Sequence, residues 1–151
     1  MIQIRSARPA DIPAMLATEQ AATSYPWAES SFLSSFSERY FNAVALINEQ
    51  VVGFYIGELV AGEASLFDIA VHPQQQGKAI GKALLNHFLD EAERRQATDC
   101  WLEVRASNHK AIALYHQQGF HQVGVRPAYY PAPGGKEDAI LMAMSLAMPS
   151  L

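Results

Sequence analysis

Two hydrophobic periods alternate along this chain, one of about two residues and one of about 3.6, and their order lays out its elements. Ile2 and Ile4 alternate with polar neighbours and predict a short first strand. Pro9-Ala10-Asp11 opens a helix that runs to about residue 22, with Ile12, Met15, Leu16 and Glu19 at helical spacing. Tyr25-Pro26-Trp27 interrupts it, and a second helix is expected over 28–37, burying Phe32, Leu33 and Phe36. Strands follow at 41–47 and 51–60, joined as a hairpin by the turn Asn48-Glu49-Gln50. After a turn at Gly62 comes a strand over 63–72. The longest helix spans 81 to about 96 and presents Leu84, Phe88 and Ala92 on one face. Residues 100–104 read as a strand, and a helix from Asn108 ends at Gly119, a C-cap residue. Strands at 120–125 and 139–147 close the chain, with a Pro/Gly-rich loop over 127–135 between them.

The strand–helix–strand unit over 66–104 places two strands parallel and adjacent, with the helix packed on one face. The hairpins around it are antiparallel. The expected fold is therefore α/β: a mixed, mostly antiparallel sheet of about seven strands, flanked on both faces by four helices. Ligands in such sheets settle outside the carboxyl ends of parallel strands.

Bulk properties narrow the function. A length of 151 residues fits one domain over 1–151, and 50% hydrophobic with 17% charged residues is a folded composition. A net charge of −4 disfavours general nucleic-acid binding. The single Cys100 lies in an apolar run and reads as a buried core residue. His72, His87, His109, His116 and His121 lack metal-ligand spacing, so no metal is expected, and His87 and His116 read as solvated. The first residues do not resemble a secretory leader, and no apolar run approaches the ~20 residues of a membrane span. The expectation is a cytoplasmic protein that does not engage a membrane.

Gln76-Gly77-Lys78-Ala79-Ile80-Gly81-Lys82 carries the chemistry. A small-residue turn that opens a helix aims several backbone N–H groups one way, with the helix dipole behind them, and that arrangement binds phosphate. A P-loop needs four residues between its glycines and then Lys-Ser/Thr. Gly77 and Gly81 are separated by three, and Ala83 stands at the Mg²⁺ position. The dinucleotide fingerprint is missing too.

The turn is similar to the acetyl-CoA motif of the GNAT acetyltransferases, Q/R-x-x-G-x-G/A, read here as Gln76-x-x-Ala79-x-Gly81 and departing from it at Ala79. The element order resembles that family over nearly the whole chain. Trp101-Leu102-Glu103-Val104-Arg105-Ala106-Ser107-Asn108, Ala111 to Tyr115, Gly119-Phe120, Glu38-Arg39-Tyr40-Phe41, Tyr129-Tyr130-Pro131 and Glu137-Asp138-Ala139-Ile140 resemble its ribosomal-protein-alanine N-acetyltransferase branch. The resemblance implies acetyl-CoA as co-substrate. It also implies, as acceptor, the N-terminal α-amine of a protein or peptide, namely alanine in a small-subunit ribosomal protein. It implies main-chain contacts from Ile69, Ala70 and Val71 to the pantetheine arm, pyrophosphate contacts from the amides of Gly77 to Lys82, and a coenzyme contact from Asn108.

Glu103 is the candidate general base, a carboxylate mid-strand on the face shared with Trp101 and Arg105; the competing role is an ion pair. An α-amine titrates near ~8 against ~10.4 for lysine, so a modest base suffices. Tyr115, seven residues beyond Asn108 on the same helix, is the candidate general acid for the departing thiolate; the competing role is packing. From ordinary pKa values the proton transfer is uphill by about 2 kcal/mol. Asn108 also suits a plain N-cap. Tyr25, Trp27, Tyr129 and Tyr130 are the expected walls of the acceptor groove. Two other readings stay open on residues alone: a GNAT enzyme acting on a small amine or lysine, and a coenzyme-binding sensor without turnover.

Overall fold

In the computed structural model, which describes residues 1–146, the elements follow the expected order. They are β1 (Ile2–Ser6), α1 (Ile12–Ala22), α2 (Glu29–Leu33), β2 (Tyr40–Ile47), β3 (Gln50–Val60) and β4 (Glu63–Val71). After them come α3 (Ile80–Arg94), β5 (Asp99–Arg105), α4 (His109–Gln117), β6 (His121–Ala132) and β7 (Gly135–Ser145). Short 3-10 turns at Pro9–Asp11 and Pro73–Gln75 precede α1 and α3. The strands form one seven-stranded sheet in the order β1-β2-β3-β4-β5-β7-β6. Only β4 and β5 pair in parallel; every other neighbour is antiparallel. Among the described residues no helix is long and apolar enough to cross a membrane.

Each face of the sheet is apolar and each is covered. Phe41, Tyr55, Leu84, Leu85, Phe88 and Leu102 belong to the core beneath α3 and α4. Phe88 has no exposed surface; its ring stacks on Phe41 at 5.4 Å and meets Tyr55 edge-on at 5.6 Å. Ile12, Met15, Phe32, Val44, Phe54 and Ile56 pack beneath α1 and α2.

Three expectations are corrected. The second helix covers Glu29–Leu33, not 28–37, and Leu33 is 60% exposed. Ser34 and Ser35 end it: both hydroxyls donate to the Ser31 carbonyl, at 3.1 and 2.7 Å, while Asn42 Nδ2 takes the Ser35 carbonyl at 2.7 Å. Serines that bond their own backbone compete with the helical ladder. Residues 127–135, read as a loop, are mostly strand. The β6–β7 register shifts between Arg126 and Tyr130, so Pro127 sits where its missing N–H leaves no gap in the ladder. His87 is not solvated: it is half-buried, and its Nδ1 lies 2.8 Å from the Tyr55 hydroxyl. The expected last strand reached Ala147, which lies outside the described residues.

Two irregularities shape the site. The β4–β5 ladder runs only from Glu63↔Asp99 to Leu66↔Leu102; past it β4 continues to Val71 and β5 to Arg105 without pairing with each other. The strands splay and leave a cleft. At the same point β4 carries a bulge: Leu66 opposes Gly57 and Asp68 opposes Ile56, leaving Phe67 out of the ladder. Because strand side chains alternate faces, the extra residue puts Asp68 and Ala70 on the α1 face beside Ile56 and Phe54.

Candidate active site

The turn into α3 forms one end of the cleft. Gly77 has φ +82° and Ala79 has φ 60°, ψ 23°, both left-handed. The first helical bond of α3 is from Ala83 N–H to the Ala79 carbonyl at 3.0 Å. The N–H groups of Ile80, Gly81 and Lys82 precede that ladder, and such groups have no partner within the helix. Gln76 braces the turn, its Nε2 donating to the Val71 carbonyl at 3.3 Å. A side chain at Gly81 would meet protein only at 3.9 Å, so protein packing does not require glycine there. Lys78 is tied to Gln75 at 2.9 Å, whereas Lys82 lines the cleft. This end has a volume of about 710 Å³ and runs along Ile69, Ala70 and Val71 to Asn108 and Tyr115. Asn108 caps α4, accepting the Ala111 N–H at 3.2 Å, and also faces the cleft.

The cleft deepens between the splayed strands into a space of about 530 Å³ lined by Glu103, Tyr115, Tyr130 and Asp68. Cys100, Leu102 and Val104 are buried in the α3/α4 core, which leaves Trp101, Glu103 and Arg105 on the opposite face of β5. Glu103 Oε2 lies 3.4 Å from Arg126 Nε, an exposed pair of the kind that holds a carboxylate loosely. Tyr115 reaches the cleft from α4, only 5% exposed, with its ring edge-on to Phe120 at 5.9 Å. Burial, first of all, pushes its hydroxyl above the ordinary phenol range. The proton is therefore held more firmly than the ordinary value implied.

A third lobe of about 590 Å³ continues over Trp27, Phe67, Trp101, Tyr129 and Tyr130. Arg105 gathers its walls. Its guanidinium lies 4.4 Å from the centre of the Tyr25 ring and 4.7 Å from that of Tyr130. It also donates to the Pro131 carbonyl at 2.6 Å and to Glu137 Oε1 at 2.9 Å. One side chain thus joins the α1–α2 connection to the β6–β7 hairpin. Burial, followed by Glu103, pushes the Tyr130 hydroxyl up to about 12. Tyr25, Trp27, Tyr129 and Tyr130 are brought together as the sequence suggested, but Tyr129 and Tyr130 stand on a strand.

Arg105, Asp68 and Glu19 were missed as site residues. Arg105 was noted only as a neighbour on the face of Glu103. Asp68 had a signal, a lone carboxylate inside the apolar run 66–71. Glu19 was hidden by its helical spacing with Ile12, Met15 and Leu16.

Residues 6–120 match the model of the acetyltransferase (GNAT) family. The chain belongs to the GNAT acetyltransferases. Within that family it is 45% identical over 148 residues to the [ribosomal protein bS18]-alanine N-acetyltransferase of Escherichia coli K12, covering 98% of this chain and 100% of that one. The crystal structure of the Escherichia coli ribosomal-protein-S18-alanine N-acetyltransferase superposes with a TM-score of 0.96 at 45% identity, over 99% of this chain and 97% of that one. The GNAT fold also recurs in yncA from Salmonella typhimurium, solved with acetyl-CoA, at a TM-score of 0.81 and 23% identity over 99% and 96% of the two chains.

Proposed function

We propose that this GNAT protein transfers the acetyl group of acetyl-CoA to the N-terminal α-amine of an alanine-initiated protein, the small-subunit ribosomal protein bS18, in the cytoplasm and within one domain over 1–151. The observation that carries the reading is a row of three cavities that share lining residues: Glu103 and Tyr115 line the middle one, the turn into α3 lies at one end, and an aromatic groove lies at the other. The acceptor assignment rests on the 45% identity to the Escherichia coli enzyme.

The residues fit the coenzyme. Free N–H groups at the start of α3 suit a pyrophosphate, and Lys82 adds positive charge nearby. Beyond Leu66 the β5-facing edge of β4 has no strand partner, so an extended pantetheine arm can lie along Ile69 to Val71 as an added strand. Gly81 leaves room for that approach.

In this mechanism Glu103 removes a proton from the α-ammonium group, directly or through one water. The amine nitrogen then forms a bond to the thioester carbonyl carbon. The resulting oxyanion is held by a main-chain N–H of β4, that of Val71. As the intermediate collapses, the nitrogen releases its second proton to solvent, the C–S bond breaks with its electron pair going to sulfur, and the Tyr115 hydroxyl supplies the sulfur's proton; solvent then restores Tyr115 and takes the proton held by Glu103. Burial makes Tyr115 a weaker acid than an ordinary phenol, so its hydrogen bond to the departing sulfur is the larger part of its help. Attack is direct. Cys100 has no exposed surface, and burial, then Asp99, push its thiol up to about 12, so it is no acyl carrier.

The test is thiol release from acetyl-CoA with a peptide bearing the bS18 N-terminus, and mass spectrometry of the product. Glu103→Gln and Tyr115→Phe should each lower kcat by about 10²-fold or more. Near-normal kcat in both variants would refute the roles, and acetylation on lysine alone would refute the acceptor.

A further inference from the structure

A second pair of acids meets beneath the same cleft. Glu19 comes from the last turns of α1 and is 3% exposed. Asp68 comes from β4, just past the bulge at Phe67 that turns its side chain toward α1. Their carboxyl groups lie within hydrogen-bonding reach of one another. The Trp27 N–H donates to Glu19 Oε2 at 3.0 Å. Asp68 Oδ2 is sealed from solvent and has no hydrogen-bond partner among the described residues. Among those residues neither acid forms an ion pair with a Lys, Arg or His.

Two carboxyl groups so close and so dry cannot both ionise. One proton between them gives Asp68 Oδ2 its missing partner and leaves one negative charge on the pair. Burial, then the charge of Glu19, hold the Asp68 carboxyl well above the usual range. The sealed, unpartnered Asp68 Oδ2 is the place for that proton, which leaves the charge to Glu19, the acid that accepts the Trp27 N–H. That charge borders the space containing Glu103, Tyr115 and Tyr130. Arg105 also lines that space, but Glu137, Pro131 and two rings already engage it. A buried anion without a cation is costly, and one that opens on a cleft is completed by whatever cation enters.

We propose that the Glu19–Asp68 pair, sharing one proton, anchors the primary ammonium group of the acceptor and so positions it for Glu103. The inference rests on the proposed function, since an ammonium group must reach this cleft to be acetylated. The pair is a positioning site and takes no proton from the substrate.

Two isosteric variants separate charge from shape. D68N replaces the shared proton with a permanent N–H donor and keeps Glu19 charged. E19Q/D68N removes the charge while leaving an acceptor for the Trp27 donor. With acetyl-CoA and an alanine-initiated peptide, E19Q/D68N should raise the peptide KM about tenfold or more over the parent protein, and D68N, which keeps the charge on Glu19, should raise it several-fold less than the double variant does. In both variants the loss should fall on the peptide KM and not on the acetyl-CoA KM. A peptide with an α-hydroxyl in place of the α-amine should inhibit the double variant and the parent equally. The pair is not an anchor if the double variant keeps the parent's peptide KM, if D68N is as impaired as the double variant, or if the hydroxyl peptide loses as much as the amine. An infrared measurement covers a double variant that does not fold. The parent at neutral pH should show a protonated-carboxyl band that D68N lacks and that peptide binding shifts; its absence overturns the shared proton. A parent that acetylates no α-amine refutes the proposed function and the anchor together, whereas normal parent turnover with an unimpaired double variant refutes the anchor alone.

Discussion

Ala79 holds a left-handed backbone at the turn into α3, with φ 60° and ψ 23°. In that region a Cβ crowds the following carbonyl oxygen, at roughly 1–2 kcal/mol, whereas glycine meets no such penalty. Glycine loses more freedom on folding, which offsets about 0.4–1 kcal/mol of the gain. Ala79→Gly should therefore stabilise the protein by about 0.5–1 kcal/mol. For a chain of this length 1 kcal/mol moves Tm by about 2–4 °C, so the expected rise is about 1–4 °C. Differential scanning calorimetry of the coenzyme-free protein measures it. Ala79→Val should move Tm the other way, because a β-branched side chain fits this region worse than alanine. Ala61→Gly, at φ 51° in the β3–β4 turn, is a control remote from the coenzyme end of the cleft. An unchanged or lowered Tm in Ala79→Gly, with a rise in the control, would refute the assignment of strain to this turn.

Phe88→Ala removes a ring packed against Phe41 and Tyr55, and should cost about 3–5 kcal/mol in urea unfolding. A loss under about 1 kcal/mol would mean that α3 is not pinned through this ring. Asp11 accepts both guanidinium N–H bonds of Arg5, at 2.8 and 2.9 Å, and that contact holds its carboxyl below the ordinary range. Its stabilisation is complete above the unfolded value of about 3.9 and lost as pH falls through the folded one, so the urea midpoint should drop more steeply on acidification in the parent than in Asp11→Asn. Parallel slopes would count against the linkage. Cys100 should resist alkylation at mild alkaline pH until the protein unfolds, and rapid stoichiometric labelling of the active protein would contradict its burial.

Much of the fold was legible because its signals are local. The order of strands and helices, the parallel crossover over 66–104, the Asn108 cap and the turn before α3 follow from periodicity and residue type. The errors fell where side chains overrule periodicity. Ser34, Ser35 and Asn42 end α2 early, and a bulge absorbs Pro127 within a strand that read as a loop. At Ala79 the sequence shows only a departure from the motif's glycine; the backbone shows that the residue also bears on conformation.

By itself the sequence determined the family, the turn before α3, and Glu103 and Tyr115 as a pair worth testing, because motif spacing and element order are properties of the chain alone. Only the tertiary structure decided that β4 and β5 part after Leu66 and Leu102, that Arg105 clasps Tyr25 to Tyr130, and that Asp68 meets Glu19. Those meetings join residues far apart in the chain. They depend on a one-residue bulge and on where the parallel pairing stops, and neither leaves a periodic trace in the order of amino acids.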